Sequence, residues 1–430
     1  MGFRLRWAVL TLLALVTGPP DRCAGELLKV RIGLIQAGTI SFSGPAGVTV
    51  QTASANTTIA WAPPLHLWIV STDGSMLFVR NEDGEEKLRA RGKLRLLPPE
   101  GGVVTIHGIG GHWDGIEDRA YRGVIEVLRY GGELTAVNVL DIETYLRGVV
   151  PSEMPTTYPI EALKAQAVAA RGQALAKAGR HRSEGFDLCA TQHCQVYGGA
   201  TSEAESTNSA VAITWGQVVE YEGRLANTLY SSNCGGHTAN NEDYWPDQKP
   251  ILYLRGIADF NEHEVPLAFP LSGEDLSDYL KYAPPVYCNQ PWYGKASKFR
   301  WWSIIPREEL KESLVAEVGD FGDLIDIRVT KRAECGIALE VAVIGTKALH
   351  KLEGGSQIRR GLGGLNSASF AIRRIAEGEG VPTAFAIWGA GWGHQVGMCQ
   401  IGAAGLADRG WDYKGILSKY YTGCTVTRRY

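Results

Sequence analysis

Apolar and polar residues alternate through the first third of the chain. Leu28-Lys29-Val30-Arg31-Ile32-Gly33-Leu34 places an apolar or small residue at every second position, and Tyr121 to Tyr130 shows the same alternation, as half-buried strands do. Glycine-rich turns at Gly44–Gly47, Gly101-Gly102 and Gly108–Gly111 divide residues 27–140 into short strands, and Gly131-Gly132 predicts a hairpin into Leu134–Val139. The period then changes. Asp141 to Val149 reads as a short helix or turn, and Pro151-Ser152-Glu153-Met154-Pro155 as a rigid loop bracketed by prolines. Ile160, Leu163, Ala167, Ala170, Ala174 and Ala178 recur at three- and four-residue steps. They predict a long amphipathic helix with a small-residue face, opened near Pro159 and Glu161 and closed by Gly179.

Short strands and loops are expected from Cys189 to Asp259. Beyond them, strand-like runs at Ile325–Val329 and Leu339–Ile344 mix with a helix at 307–317; Gly389–Gly405 is glycine-rich, and a last helix spans 413–421. The expected fold class is α+β and strand-rich, with the long helix following a candidate catalytic loop and the glycine-rich loops forming a cleft. Five segments are expected: 1–25 a signal peptide or N-terminal anchor, 26–120 a β-rich part, 121–260 a catalytic core, 261–380 a variable α/β insertion, and 381–430 a glycine-rich loop and helix completing the core. The first segment rests on Arg4 and Arg6 before the apolar run Ala8–Val16, which is too short for an ordinary spanning helix. It predicts export, to the extracytoplasmic space or cell wall.

Composition changes this picture in two places. The chain has 430 residues with 52 Gly, where about 30 would be usual. A net charge of −3 gives no basic field for nucleic acid, which is not expected as a partner. One of the 8 Cys lies in the leader, leaving Cys189, Cys194, Cys234, Cys288, Cys335, Cys399 and Cys424. An odd number outside the cytoplasm leaves at least one thiol without an intrachain partner, or held by metal.

Four segments are candidates for chemistry. Glu153 lies between two prolines just before a helix, so its carboxylate has a fixed direction; burial there would raise its pKa and suit it to general acid work. The structural alternative is a carboxylate placed at a helix entry. Cys189 and Cys194, with His181 and His193 close by, have spacing compatible with structural zinc, although a disulfide or free buried thiols fit equally. Ser231-Ser232-Asn233-Cys234-Gly235-Gly236-His237-Thr238 lets backbone approach a ligand, with a polar turn as the alternative. Gly389 to Gln400 is no phosphate loop, because no Lys-Ser/Thr follows; it presents Trp392, His394 and Gln400 on a tight loop.

Together these segments resemble the SpoIID/LytB family. The resemblance is carried by Tyr121-Arg122-Gly123, Val137-Asn138, Tyr145 to Pro155, Glu161 to Arg171, Gln195-Val196-Tyr197, Cys234 to Thr238, Trp392-Gly393-His394 and Gly397-Met398 with Gln400. It covers about residues 27–425, most specifically 121–260 and weakly 263–360. It implies a peptidoglycan lytic transglycosylase in which Glu153 is the catalytic general acid and base, cleaving MurNAc–GlcNAc strands without water and closing a 1,6-anhydro ring. No cofactor is required for that chemistry. The resemblance also implies a zinc site at Cys189, Cys194 and a histidine, His181 being preferred over His193. Gln166, Arg171, Tyr230, His237, His394 and Gln400 are the expected substrate contacts. The alternative function is that of a LytB-like, non-enzymatic enhancer of a cell-wall amidase; an amidase or a membrane component is then a partner, besides the glycan. Where the family pattern has Thr-Tyr after Arg171, Gly-His-Gly and Met-Ser-Gln, this chain has Gly172-Gln173, Gly393-His394-Gln395 and Met398-Cys399-Gln400.

Overall fold

The computed structural model describes residues 28–430 except 53–57, 111–114, 262–268, 272, 283 and 377–379. The expected signal segment lies outside the described residues. The fold is mixed α+β. A seven-stranded sheet runs in the order Leu188–Cys189, Lys29–Ala37, Glu133–Asp141, Val124–Tyr130, Leu94–Leu97, Val48–Thr52, Thr58–Ala62. A six-stranded sheet holds Ile116–Tyr121, Val104–Gly110, Thr39–Ser43, Trp68–Asp73, Met76–Asn81 and Glu86–Arg91. Their apolar faces share one core, to which Ile32, Ile125 and Val127 contribute from the first sheet and Phe42, Val70 and Ile106 from the second. The boundary drawn at 120/121 therefore runs through this pair of sheets. The hairpin turn is at Gly131-Gly132 as expected: both residues hold positive φ, and Tyr130 faces Glu133 in register.

Helix α1 (Ile142–Glu153) begins where the strand Glu133–Asp141 ends; Asp141 caps it by accepting from the Thr144 amide at 2.9 Å. Of the loop expected at 151–155, Pro151, Ser152 and Glu153 instead form the last turn of α1, with Pro151 inside the helix and Met154 as its extended C-cap. A proline there forfeits a single intrahelical bond. The turn is held by other donors: Ser152 Oγ and the Gly198 amide both donate to Gly148 O, at 2.7 and 3.1 Å, and Met154 N donates to Val150 O at 3.0 Å.

Helix α2 (Ile160–Lys177) is the predicted long helix, but it is not amphipathic. Every residue from Ala165 to Ala174 is buried. It packs against α1, α3 (Glu205–Ile213), the strand Gln217–Tyr221 and the helices Gln400–Ala407 and Tyr413–Tyr420. Its alanines and Gly172 allow this crowding, since a Cβ on Gly172 would sit 2.6 Å from Thr228 Oγ1. Helix α3 was not expected; its nine residues fall in a stretch read as strands and loops. The predicted helices at 307–317 and 413–421 are found at Arg307–Val318 and Tyr413–Tyr420. Residues 300–390 build a second apolar core around Leu310, Leu314, Phe321, Val341 and Phe385. Among the described residues, no helix is long and apolar enough to cross a membrane.

Candidate active site

The two glycine-rich segments lie side by side. Tyr230-Ser231 pairs in parallel with Met398-Cys399, Asn233 bridges Trp392, and Ala239 bridges Val396. Such closeness requires glycine: a Cβ on Gly397 would stand 2.2 Å from Leu229 O, and Gly397 holds φ 71°. Gln395 takes a left-handed φ of 62° without being glycine, and its Nε2 donates to Cys234 O at 2.6 Å.

Glu153, the final residue of α1, faces this junction. Its Oε1 accepts from the Val196 amide at 2.7 Å, and its own carbonyl accepts from Gln400 Nε2 at 3.0 Å. The side chain is half-buried. Burial raises its pKa to about 7, against the Val196 N–H, the Lys177 charge and the Tyr230 hydroxyl, which all favour the carboxylate. It is therefore poised between protonated and charged forms at neutral pH. Glu143 and Glu161 are engaged elsewhere, Glu143 with Arg171 and Glu161 with Lys164 and the Tyr413 amide. No carboxylate is among the groups that set the acidity of Glu153.

The raised pKa has a consequence for stability. The folded protein retains a proton that the unfolded chain releases near its ordinary value, so stability falls as pH rises from about 4.5 through about 7. Glu153→Gln removes this loss and is expected to be more stable than the parent by about 2 kcal/mol near pH 8, with little difference near pH 4. Residual solvent contact of the side chain keeps the effect below that of a fully desolvated carboxylate. Urea midpoints at the two pH values give the comparison.

The other expected contacts divide. Tyr230 is buried with its hydroxyl beside Glu153, where it also accepts from Gln195 Nε2 at 3.2 Å. His394 is held neutral, its pKa pushed down to about 3 by burial and then by the charges of Lys177 and Arg359. Its Nδ1 accepts from the Val396 amide at 3.1 Å, and Trp245 packs on the ring at 5.1 Å. Gln400 and Gln166 meet at 3.3 Å beneath Glu153; Gln166 is fully buried and so shapes the floor. Arg171 requires correction. It has no solvent exposure, and both Nε and Nη2 donate to the Glu143 carboxylate at 2.7 Å. Its guanidinium is therefore a core ion pair, unable to reach a glycan. His237 packs on Phe269 at 4.6 Å and donates from Nδ1 to Thr238 O; it is not among the groups acting on Glu153.

Lys177, Trp245 and Arg359 were missed. Lys177 reads in sequence as a helix-terminal cation, and only the fold shows that it faces both Glu153 and His394. Trp245 and Arg359 carry no local signal; Arg359 arrives from a distant helix and donates to Tyr244 OH at 2.9 Å.

Cys189 and Cys194 are free thiols, not a disulfide. His181, Cys189, His193 and Cys194 each offer a ligand atom, all within 4.8 Å of one another. His193 is as well placed as the preferred His181: its Nδ1 lies 3.6 Å from Cys189 Sγ and 3.2 Å from His181 Nε2. Glu184 Oε1 stands 2.6 Å from His181 Nδ1, the outer carboxylate that orients a metal-bound imidazole. The donor set fits a closed tetrahedral zinc site.

The family model described as SpoIID, stage II sporulation protein, matches residues 130–221, inside the most specific part of the resemblance, and a domain of unknown function, DUF8618, matches 239–397. An uncharacterized protein of Brachyspira hyodysenteriae is 31% identical over 324 residues, 73% of each chain. The amidase enhancer of Bacillus subtilis is 30% identical over 295 residues, 66% of this chain but 40% of the enhancer. Stage II sporulation protein D of Bacillus subtilis is 28% identical over 307 residues, 68% of this chain and 76% of that protein. With the family model matched at 130–221 and relatives aligned over more than two thirds of its length, the chain belongs to the SpoIID family.

Proposed function

We propose that the protein is a peptidoglycan lytic transglycosylase working outside the cytoplasm, with Glu153 as its general acid and base. Membership of the SpoIID family supports a cell-wall role. The observation that carries the transglycosylase reading is the Glu153 carboxylate, raised by burial to a pKa of about 7, while its neighbours in the motif, Glu143 and Glu161, are engaged with Arg171 and Lys164. An ordinary glycosidase needs two carboxylates, one for the leaving oxygen and one for water or the anomeric carbon. A transglycosylase needs one. Protonated Glu153 donates to the glycosidic oxygen as the bond to the muramic anomeric carbon breaks. The resulting carboxylate takes the proton of the muramic 6-hydroxyl, whose oxygen attacks that carbon and closes the anhydro ring. Tyr230 and Val196 N–H steady the carboxylate in its charged phase, and half-exposed Trp245 beside His394 offers a face for a sugar ring. Defined glycan strands digested with the protein and weighed by mass spectrometry test this. Anhydro-muramyl ends are expected; reducing ends carrying an added water would mean a hydrolase. Intact strands, together with faster cleavage by an added amidase, would favour the enhancer role that a relative's name suggests.

Zinc belongs to the same proposal as a structural brace. Held by His181, Cys189, His193 and Cys194, it would fix the segment that runs on to Val196, whose amide binds Glu153. A metal with four protein ligands has no open position for substrate. His193→Ala is expected to weaken zinc retention about tenfold or more in chelator competition. Unchanged retention would leave His193 outside the site.

A further inference from the structure

A second group of metal-type ligands lies on the far side of the glycine junction. Cys234, Asp259, Cys288 and Cys399 are all buried, and their ligand atoms lie within 4.8 Å of one another. Four segments remote in sequence supply them. Backbone bonds lock these segments together: Asp259 N to Gly236 O at 3.0 Å, Tyr287 N to Asp259 O at 2.8 Å, and Ile401 N to Ser232 O at 3.1 Å.

We propose that these four residues form a second zinc site, a closed Cys3Asp tetrahedron distinct from the one at Cys189. Asp259 is completely buried; Oδ1 accepts from Tyr420 OH at 2.5 Å, Oδ2 has no partner of ordinary hydrogen-bond geometry, and the Cys288 thiol, a weak donor, is the other group at the carboxylate. A buried carboxylate oxygen so poorly satisfied is costly, and a cation bound between it and the sulfurs removes the cost. The sulfur spacing selects the occupant. Zinc–sulfur bonds of about 2.3 Å put tetrahedral sulfurs about 3.8 Å apart. Cys234 Sγ and Cys288 Sγ are 3.7 Å apart, whereas a disulfide closes to about 2.0 Å. Cys399 Sγ accepts from the Cys234 and Gly402 amides at 3.2 and 3.3 Å, donors that suit a thiolate. Gly402 leaves the space, since a Cβ there would lie 2.7 Å from Asp259 Oδ2. Thiolates favour zinc over magnesium or calcium. Binding forms Zn–S and Zn–O bonds, releases the thiol protons to solvent, and needs no oxidant.

The site would brace the cleft rather than react. Cys399 precedes Gln400, which donates to the Glu153 carbonyl.

The test is metal analysis of the full chain purified without chelator. Cys189→Ser/Cys194→Ser is expected to retain one zinc per chain, and adding Cys288→Ser to lose it. Cobalt loaded into the retained site should give the intense thiolate charge-transfer and tetrahedral visible bands of a three-sulfur site. In the parent, Cys234, Cys288 and Cys399 should resist alkylation until a chelator is added, which reads the site even where variants fail to fold. Three outcomes overturn the proposal: no metal in the Cys189→Ser/Cys194→Ser chain while it remains folded; a parent mass short by two hydrogens at Cys234–Cys288, meaning a disulfide; or thiols of the trio alkylated equally with and without chelator.

Discussion

Glu153→Gln is expected to lower glycan cleavage about a thousandfold while leaving glycan binding in place. Glutamine keeps the size and can still accept from the Val196 amide, but has no proton to give the leaving oxygen. The parent's pH profile carries the same information. The first step needs the protonated acid, so activity should fall as pH rises through about 7. Lys177→Met removes a cation that favours the carboxylate, and should move this limb to higher pH. Release of anhydro-muramyl product across the pH range, parent against the two variants, gives the readout. A limb that stays in place in Lys177→Met, or a glutamine variant with parental rates, would remove Glu153 from the chemistry.

The second large effect is on stability. Arg171→Met is expected to cost about 3–5 kcal/mol, because it strands the Glu143 carboxylate in the core. Glu143 is 1% exposed and also accepts from Tyr430 OH at 2.6 Å and the Gly216 amide at 3.2 Å, so the pair joins α1, α2 and the chain's last residue. Urea unfolding followed by tryptophan fluorescence measures the loss. Replacing Glu143 and Arg171 together by apolar residues should recover much of it, as removing both charges leaves neither unpaired. A substrate-binding role for Arg171 would instead lower activity at unchanged stability.

Arg171 shows where sequence reasoning reached its limit. Its place in a motif marked it as important, and the importance is real, but the reason is burial against a residue one helix away. Local patterns were read well wherever a period or a turn fixes them: the hairpin at Gly131-Gly132, the span of α2, the strands around 327 and 341. They failed where tertiary contacts decide. The alanines of α2 look like one small face, but neighbours crowd the helix on nearly all sides. Pro151 reads as a loop residue, but the Ser152 hydroxyl and the Gly198 amide from a later segment hold the turn it weakens. Glu153 was legible because two prolines and a following helix isolate it; Lys177 and Trp245 were not, since nothing near them in sequence refers to the site.

The wide separation of the groups around Glu153 also sets an order of events. Gln400 follows Glu153 by 247 positions, and the floor it completes is absent until that stretch has been made. A chain folds from its N-terminus as it emerges. The sheets and α1 can form early, while the acid still lacks its floor and the His394 loop. Under the proposed function, a chain not yet folded through Gln400–Ala407 would hold its acid without the floor beneath it and cut no glycan.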